Sequence, residues 1–319
     1  MIFMRFNDIM PLKIMKGELC MEPKRRFFTS DDISAYMLIA PFFIFFTVFI
    51  VIPIIYNGWQ SMTNATGLTR RSDFIFLDNY VRLMSDRAFI MALRNTFIFA
   101  AASVVPIMAL GLAAALALNS KARALRLCRG LMIFPFITSV VSISMVWLIL
   151  LEPNHGVLNA MLVRIGLSPR HWLFDRNLAL PSLIFVNVWR NIGFAMLLFL
   201  SGLAGVDPHL KEAAKVDGAS DFYVVRKITL PLLRPITIFV FITSVIESFK
   251  TFDQVRVMTD GNPLHATTTI VHQIYLRAFG EFQYGYAAAM SMLLLVVVLA
   301  VTLVNMRLVG LGAGARDGE

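Results

Sequence analysis

Long uncharged hydrophobic runs separated by polar loops dominate the chain. Residues 33–55 and 96–118 are each 23 residues without a charge, and 131–151 and 286–306 are each 21. Residues 180–203 form a run of 24 interrupted only by Arg190. A sixth run starts at Ile236 and meets Glu247 after 11 residues. Its second half is expected to face protein or water. A bilayer-spanning helix needs roughly 20 apolar residues in succession. The pattern therefore predicts an all-α integral membrane protein with six transmembrane helices, over 33–55, 96–118, 131–151, 180–203, 236–257 and 286–306. Flanking this 33–306 domain are tails 1–32 and 307–319, and loop 204–235 divides its spans.

Composition supports that reading: 58% of residues are hydrophobic, 15% are charged, and the mean hydropathy is +0.71. A soluble domain carries about 25% charge, which excludes an ordinary soluble enzyme. The net charge of +9 could suggest nucleic acid, but its distribution points to lipid instead. Loops facing the cytoplasm carry an excess of lysine and arginine. The two tails, residues 119–130 and residues 204–235 together hold 17 of the 29. The short loop alone supplies Lys121, Arg123, Arg126 and Arg129. Both termini are therefore expected on the cytoplasmic side. Cys20 and Cys128 then fall in a reducing compartment, and no structural disulfide is expected. The first run is too long for a signal-peptide core and should remain as a span. MEPKRR from Met21 resembles a start, which would make residues 1–20 an extension.

Three outer loops follow, at 57–95, 152–179 and 255–285. In the first, FLDNYVRLMSDRAFIMALRNT repeats its apolar residues every three to four positions, the period of an amphipathic helix. Turn formers mark the second loop, and TDGNP the third.

Signals for chemistry are absent from the sequence. There is no GxxxxGK[ST] loop to cradle phosphates. No HExxH or Cys/His cluster marks a metal, and no GxSxG elbow marks a nucleophile. The chain is expected to be no enzyme and to bind no cofactor or metal itself.

Loop 204–235 is the exception to the lipid pattern. Asp207 can cap free N–H groups and Pro208 suits a first helical turn. HLKEAAKVD continues the helix to Gly218, where Asp217-Gly218 signals a turn. Ser220 can cap a second helix, DFYVVRKIT, ended by Pro231 and Pro235. Ala213 and Ala214 permit close approach, while Glu212, Lys215, Asp217, Arg226 and Lys227 supply charge. A connector needs only 2–8 residues, so these 32 suit a docking element better than a plain joiner.

EAA-x3-G-x9-I-x-L-P, from Glu212, Ala213 and Ala214 through Gly218 to Ile228, Leu230 and Pro231, resembles the signature loop of binding-protein-dependent ABC importer permeases. The fuller EAAKVDGAS…ITLPLLRP is similar to the carbohydrate-uptake branch. FLDNYVRL and FGEFQYGYAAAMS resemble the maltose- and glycerol-phosphate-type first permease, and the likeness runs from about Phe28 onward. It implies the type I importer permease fold, with the loop as a coupling helix inserted into a cytoplasmic ATPase. Glu212 would contact that ATPase, Gly218 would allow the turn, and Ile228 and Pro231 would set the second helix against the membrane domain. Ala213, Ala214, Asp217 and Leu230 complete the implied coupling set. The implied partners are a second, homologous permease, two ATPase subunits holding ATP and Mg, an extracytoplasmic solute-binding protein and the lipid bilayer. The chain departs from the family at Val225, often an aromatic, and at 260–263, often a glycine-rich turn.

Arg190 lies ten residues into its run, roughly 15 Å deep. Either it snorkels toward the outer surface, or Trp189, Arg190 and Asn191 line the substrate path. Aromatic faces stack on sugars, and a guanidinium favours a carboxylate or phosphate, so an anionic saccharide is one hypothesis. Glu247, Lys250 and Asp253 recur every third residue: Glu247 and Lys250 could pair on one helical face, or the three line the outer mouth. The rival readings are a permease for a non-sugar solute, an ion-coupled carrier and a membrane scaffold. A carrier should show broken-helix ion sites in inverted repeats, which this sequence lacks.

Overall fold

The computed structural model describes residues 30–67, 72–119 and 122–313, without the side chains of residues 30–35, 123, 305–306 and 308–313. The expected basic tail, Cys20, the start at Met21, Lys121, the Arg123 side chain and residues 314–319 lie outside the described residues. Among the described residues the chain is helical, with one isolated bridge between Thr63 and Phe74 and no strand.

Two units divide the chain, residues 1–55 and 56–319. The first contains α1 (Ser30–Phe46), a π-type stretch Thr47–Val51 and the start of α2 (Ile52–Gln60). In the second, α3 (Asp78–Ser85) precedes the 31-residue α4 (Arg87–Ala117). Then follow α5 (Arg123–Ile137), α6 (Val140–Leu150), α7 (Val157–Arg164) and the 26-residue α8 (Ala179–Ala204).

The amphipathic stretch in the first outer loop divides between two helices. Its first half is α3, held by buried Asn79, whose Nδ2 donates to the Ser61 and Thr63 carbonyls at 2.8 and 2.9 Å. Its second half opens α4, which starts at Arg87 rather than at residue 96. The Asp86 carboxylate caps it there, accepting from the backbone N–H of Ala88 at 2.8 Å. An N-cap satisfies donors that a helix start leaves free.

α8 is the central pillar, packed against α4, α5 and α12 (Arg234–Phe249). Ile107, Met196, Phe199, Leu233 and Val240 form one core around it, and Phe99, Trp147, Leu183 and Val186 another. At Gly193 an added Cβ would lie 1.9 Å from the Met132 carbonyl oxygen. The two backbones touch there, and no larger residue permits that approach.

Two of the expected spans are not single continuous helices. The run at 131–151 breaks at Thr138–Ser139, where α5 and α6 meet at 98°. Both residues take extended ψ angles, three positions after Pro135. A proline inside a helix removes one ladder hydrogen bond. The run at 236–257 ends as helix at Phe249, and α13 (Asp253–Met258) is a separate element. Buried Gln254 explains the departure: its Nε2 donates to the Leu183 carbonyl at 2.7 Å and draws α13 onto α8. Among the described residues, four helices are long and apolar enough to span a membrane, or up to six if each bent pair, 124–150 and 221–249, is one span. After α14 (Ile270–Tyr275) the chain ends its described part in α15 (Tyr284–Ala313).

Candidate functional site

Between α8 and α12 the chain builds α9 (Pro208–Val216), α10 (Asp221–Val224), a π-type stretch Val225–Thr229 and α11 (Leu230–Leu232). The Asp207 carboxylate accepts from the His209 N–H at 2.9 Å, with Pro208 in the first turn. Gly218 follows with φ +81°. Its N–H donates to the Lys215 carbonyl at 3.0 Å, and the Ala219 N–H to the Ala214 carbonyl at 2.9 Å. That pair of bonds is the Schellman closure of a helix end. Ser220 Oγ accepts from the Tyr223 N–H at 3.3 Å and starts the next helix.

The second helix continues through Pro231 to Leu232, beyond the expected stop, before a 68° bend into α12. The Leu230 N–H reaches back five residues to the Val225 carbonyl, which widens the turn just before the proline.

No residue of α9 is buried. Glu212 is 74% exposed, 3.8 Å from His209. Across the turn, Lys215 Nζ lies 2.8 Å from Asp221, a bond that raises the lysine pKa above its ordinary value. Ala213, Asp217 and Gly218 are exposed and Ala214 half-buried. In the second helix Val224 and Thr229 are buried, and Ile228 and Leu230 half-buried. Pro231 is exposed, so Val224 and Thr229 seat that helix on the bundle rather than Pro231. Sequence reasoning missed the apolar knobs at the tip, Val216 at 87% and Phe222 at 73% exposed. An exposed valine or phenylalanine is unremarkable singly, and only their grouping around a capped turn could have signalled them.

The second set of candidates gathers around the break between α5 and α6. Arg190 Nη2 donates to the Phe136 carbonyl at 3.2 Å, and the guanidinium lies 5.3 Å from the Phe136 ring centre. The Phe136 carbonyl belongs to the last turn of α5, whose acceptors have no intrahelical partner. Arg190 thus caps a broken helix, and its buried Nε has no hydrogen-bond partner. Beside it, Trp189 is 40% exposed and meets Trp147 edge-on, with ring centres 5.3 Å apart. Asn191 turns back on its own helix, donating to the Asn187 carbonyl at 2.8 Å. Glu247 pairs with Lys250 at 3.3 Å, both exposed. The Glu247–Lys250 pair spans three positions at the end of α12, and Asp253 belongs to the separate α13.

Opposite the α9–α11 end, polar contacts hold the outer loops. Asn95 Nδ2 donates to the carbonyls of His265 and Thr268 at 3.0 and 3.1 Å. Buried His272 places Nε2 3.1 Å from Asp260 Oδ1. A carboxylate only accepts, so Nε2 carries the proton. Burial pulls the His272 pKa below its ordinary value against the opposing pull of Asp260. Burial also works against the Asp260 carboxylate, but Arg256 and His272 outweigh it and depress its pKa. Asp86 behaves alike: burial is outweighed by Tyr286, the Ala88 and Phe89 N–H groups and Arg277.

Comparison with known proteins gives this arrangement a context. The sequence profile described as "Binding-protein-dependent transport system inner membrane component" matches residues 107–309. The diacetylchitobiose uptake system permease protein of Streptomyces coelicolor is 34% identical over 304 residues, covering 90% of this chain and 84% of that one. The trehalose/maltose transport system permease protein of Thermococcus litoralis is 33% identical, over 86% and 92% respectively. A chain from a crystal structure of a bacterial ABC transporter importing the acidic polysaccharide alginate superposes with a TM-score of 0.77. It is 25% identical, over 88% of this chain and 96% of that one.

Proposed function

We infer the role of this chain from its family: it belongs to the inner-membrane components of binding-protein-dependent transport systems. We propose that it is the permease subunit of an ATP-driven importer of sugars, oligosaccharides or related sugar acids and phosphates. It forms half of the translocation path beside a second, homologous permease. Two cytoplasmic ATPase subunits hold the ATP and Mg, and an extracytoplasmic binding protein delivers cargo. The observation that carries this reading is the capped α9–Gly218–α10 element. An isolated helix of nine residues is marginal in water, and none of the residues of this one is buried by its own chain. A socket on another protein supplies the missing burial, with Val216 and Phe222 as apolar contacts and Glu212 as the polar one. ATPase closure pulling on this element would drive alternating access.

Reconstitution of the assembled transporter in proteoliposomes tests the role. Glu212→Lys and Gly218→Val should each leave the chain in the membrane and abolish ATP-dependent uptake. Normal uptake with both substitutions overturns it. The sugar class is supported by the diacetylchitobiose and trehalose/maltose relatives. Arg190 favours an acidic member: its Nε is unpartnered, and Trp189 stands ready to stack on a ring. Full uptake of the native substrate by Arg190→Ala would remove Arg190 from the path.

A further inference from the structure

The loop between α6 and α8 holds an apolar cavity of about 300 Å³, bounded by Leu151, Leu158, Trp172, Leu178, Pro181 and Phe185. It lies at the N-terminal end of α8, about 39 Å of helical rise from the α9–α11 element. Asn159 builds the frame. Its Nδ2 donates to the carbonyls of Pro153 and Arg170, both at 2.8 Å. Its Oδ1 accepts from the Arg170 N–H at 3.0 Å and from Trp172 Nε1 at 2.9 Å. The polar edge of Trp172 is thereby satisfied inside the loop, and its ring is left to line the cavity.

Around this cavity the loop is dressed for lipid. On α7, Leu158 and Leu162 are half-buried, while Val157, Met161 and, just past the helix end, Ile165 are exposed at spacings of four residues, with Val163 exposed beside them. Arg164, Arg170 and Arg176 are exposed and form no ion pair among the described residues. Arg170 and Arg176 each stand two positions before a lining residue, Trp172 and Leu178. The two carboxylates of the loop are otherwise engaged: Glu152 accepts from the N–H groups of Asn154 and His155, and Asp175 from that of Asn177. Exposed apolar residues with uncompensated arginines are the signature of a segment lying in a membrane interface.

We propose that this cavity seats an acyl chain of an anionic phospholipid, whose phosphate the three arginines hold. The proposal rests on the membrane-spanning reading alone, and its readout is independent of uptake.

Fluorescence quenching tests it, with the full chain in phosphatidylglycerol–phosphatidylcholine vesicles brominated on the acyl chains of one lipid at a time. The Trp172 signal is the difference between wild type and Trp172→Phe. Bromine on phosphatidylglycerol should quench it with a preference of about fivefold over phosphatidylcholine. The combined Arg164→Gln, Arg170→Gln and Arg176→Gln variant should lose that preference, and Ser182→Phe, at a residue that also lines the cavity, should fill it and weaken quenching by either lipid. The arginines are exposed, so their removal leaves the fold intact even if the cavity variant does not fold. Equal quenching by both lipids in wild type, or none by either, overturns the proposal. So does quenching of the lone chain that vanishes in the assembled transporter, which would assign the cavity to a protein partner.

Discussion

Gly218 offers the sharpest perturbation of the proposed coupling element. It holds φ at +81°, and a Cβ added there meets nothing within 4 Å. Substitution therefore alters only the local backbone preference. An L-residue in the left-handed region costs about 1–2 kcal/mol, whereas asparagine visits it routinely. That cost is a factor of roughly 5–30 in the population of the correct turn. A β-branched residue is stiffer and strains that conformation further. The series Asn, Ala, Val at this position should therefore lower initial ATP-dependent uptake in that order. Asn should stay near wild type, Ala should fall by about 5–30-fold, and Val should fall furthest. Blotting of the membrane fraction should show equal amounts throughout. ATPase activity stimulated by the binding protein should fall in parallel, because the same turn presents α9 to its socket. Wild-type uptake from the Val variant, or an Asn variant as weak as Val, would refute the reasoning.

Further outcomes at three residues test the frame around that element. Asp86→Ala removes a cap worth about 1 kcal/mol and the acceptor of Tyr286 Oη and Arg277 Nη2, another 1–3 kcal/mol, approximately; the detergent melting temperature should drop accordingly. The Asp86 pKa is depressed, so its contribution is complete above the unfolded value of about 3.9 and fades only at lower pH; melting of the wild type should not change on its account between neutral and mildly acid pH. His272 has the opposite sign. Its depressed pKa means that the unfolded chain binds more protons below about pH 6.5. Protection of the 259–272 loop against hydrogen exchange, corrected for its slower intrinsic rate in acid, should therefore fall on acidification, and His272→Gln should flatten the response; an unchanged slope counts against neutral His272. Gly193→Ala places a methyl group against the Met132 carbonyl and should cost about 1–3 kcal/mol of stability, read as a lower melting temperature.

The legible and illegible parts of this chain differ in where their polar groups find partners. Asp207, Pro208, Gly218 and Ser220 act on backbone groups within a few residues of themselves, so their residue types signal helix starts and a turn directly. The breaks in two apolar runs are less directly marked, with Pro135 the one local sign at the first. A run of 21 uncharged residues suits lipid equally well straight or broken, and its path is decided by distant groups. Arg190 meets Phe136 across 54 positions, Gln254 meets Leu183 across 71, and Asn95 meets Thr268 across 173. Each of these polar side chains stands within or beside an apolar run, where burying it unpaired is costly. Their presence signals that a partner exists, but spacing along the chain cannot say which carbonyl it is. The same division sorts the functional candidates. Glu212 and Gly218 sit where substitution leaves packing untouched, so their effect falls on coupling. Arg190 closes a helix break as well as facing the proposed path, so loss of uptake in Arg190→Ala implicates the path only if the melting temperature is preserved.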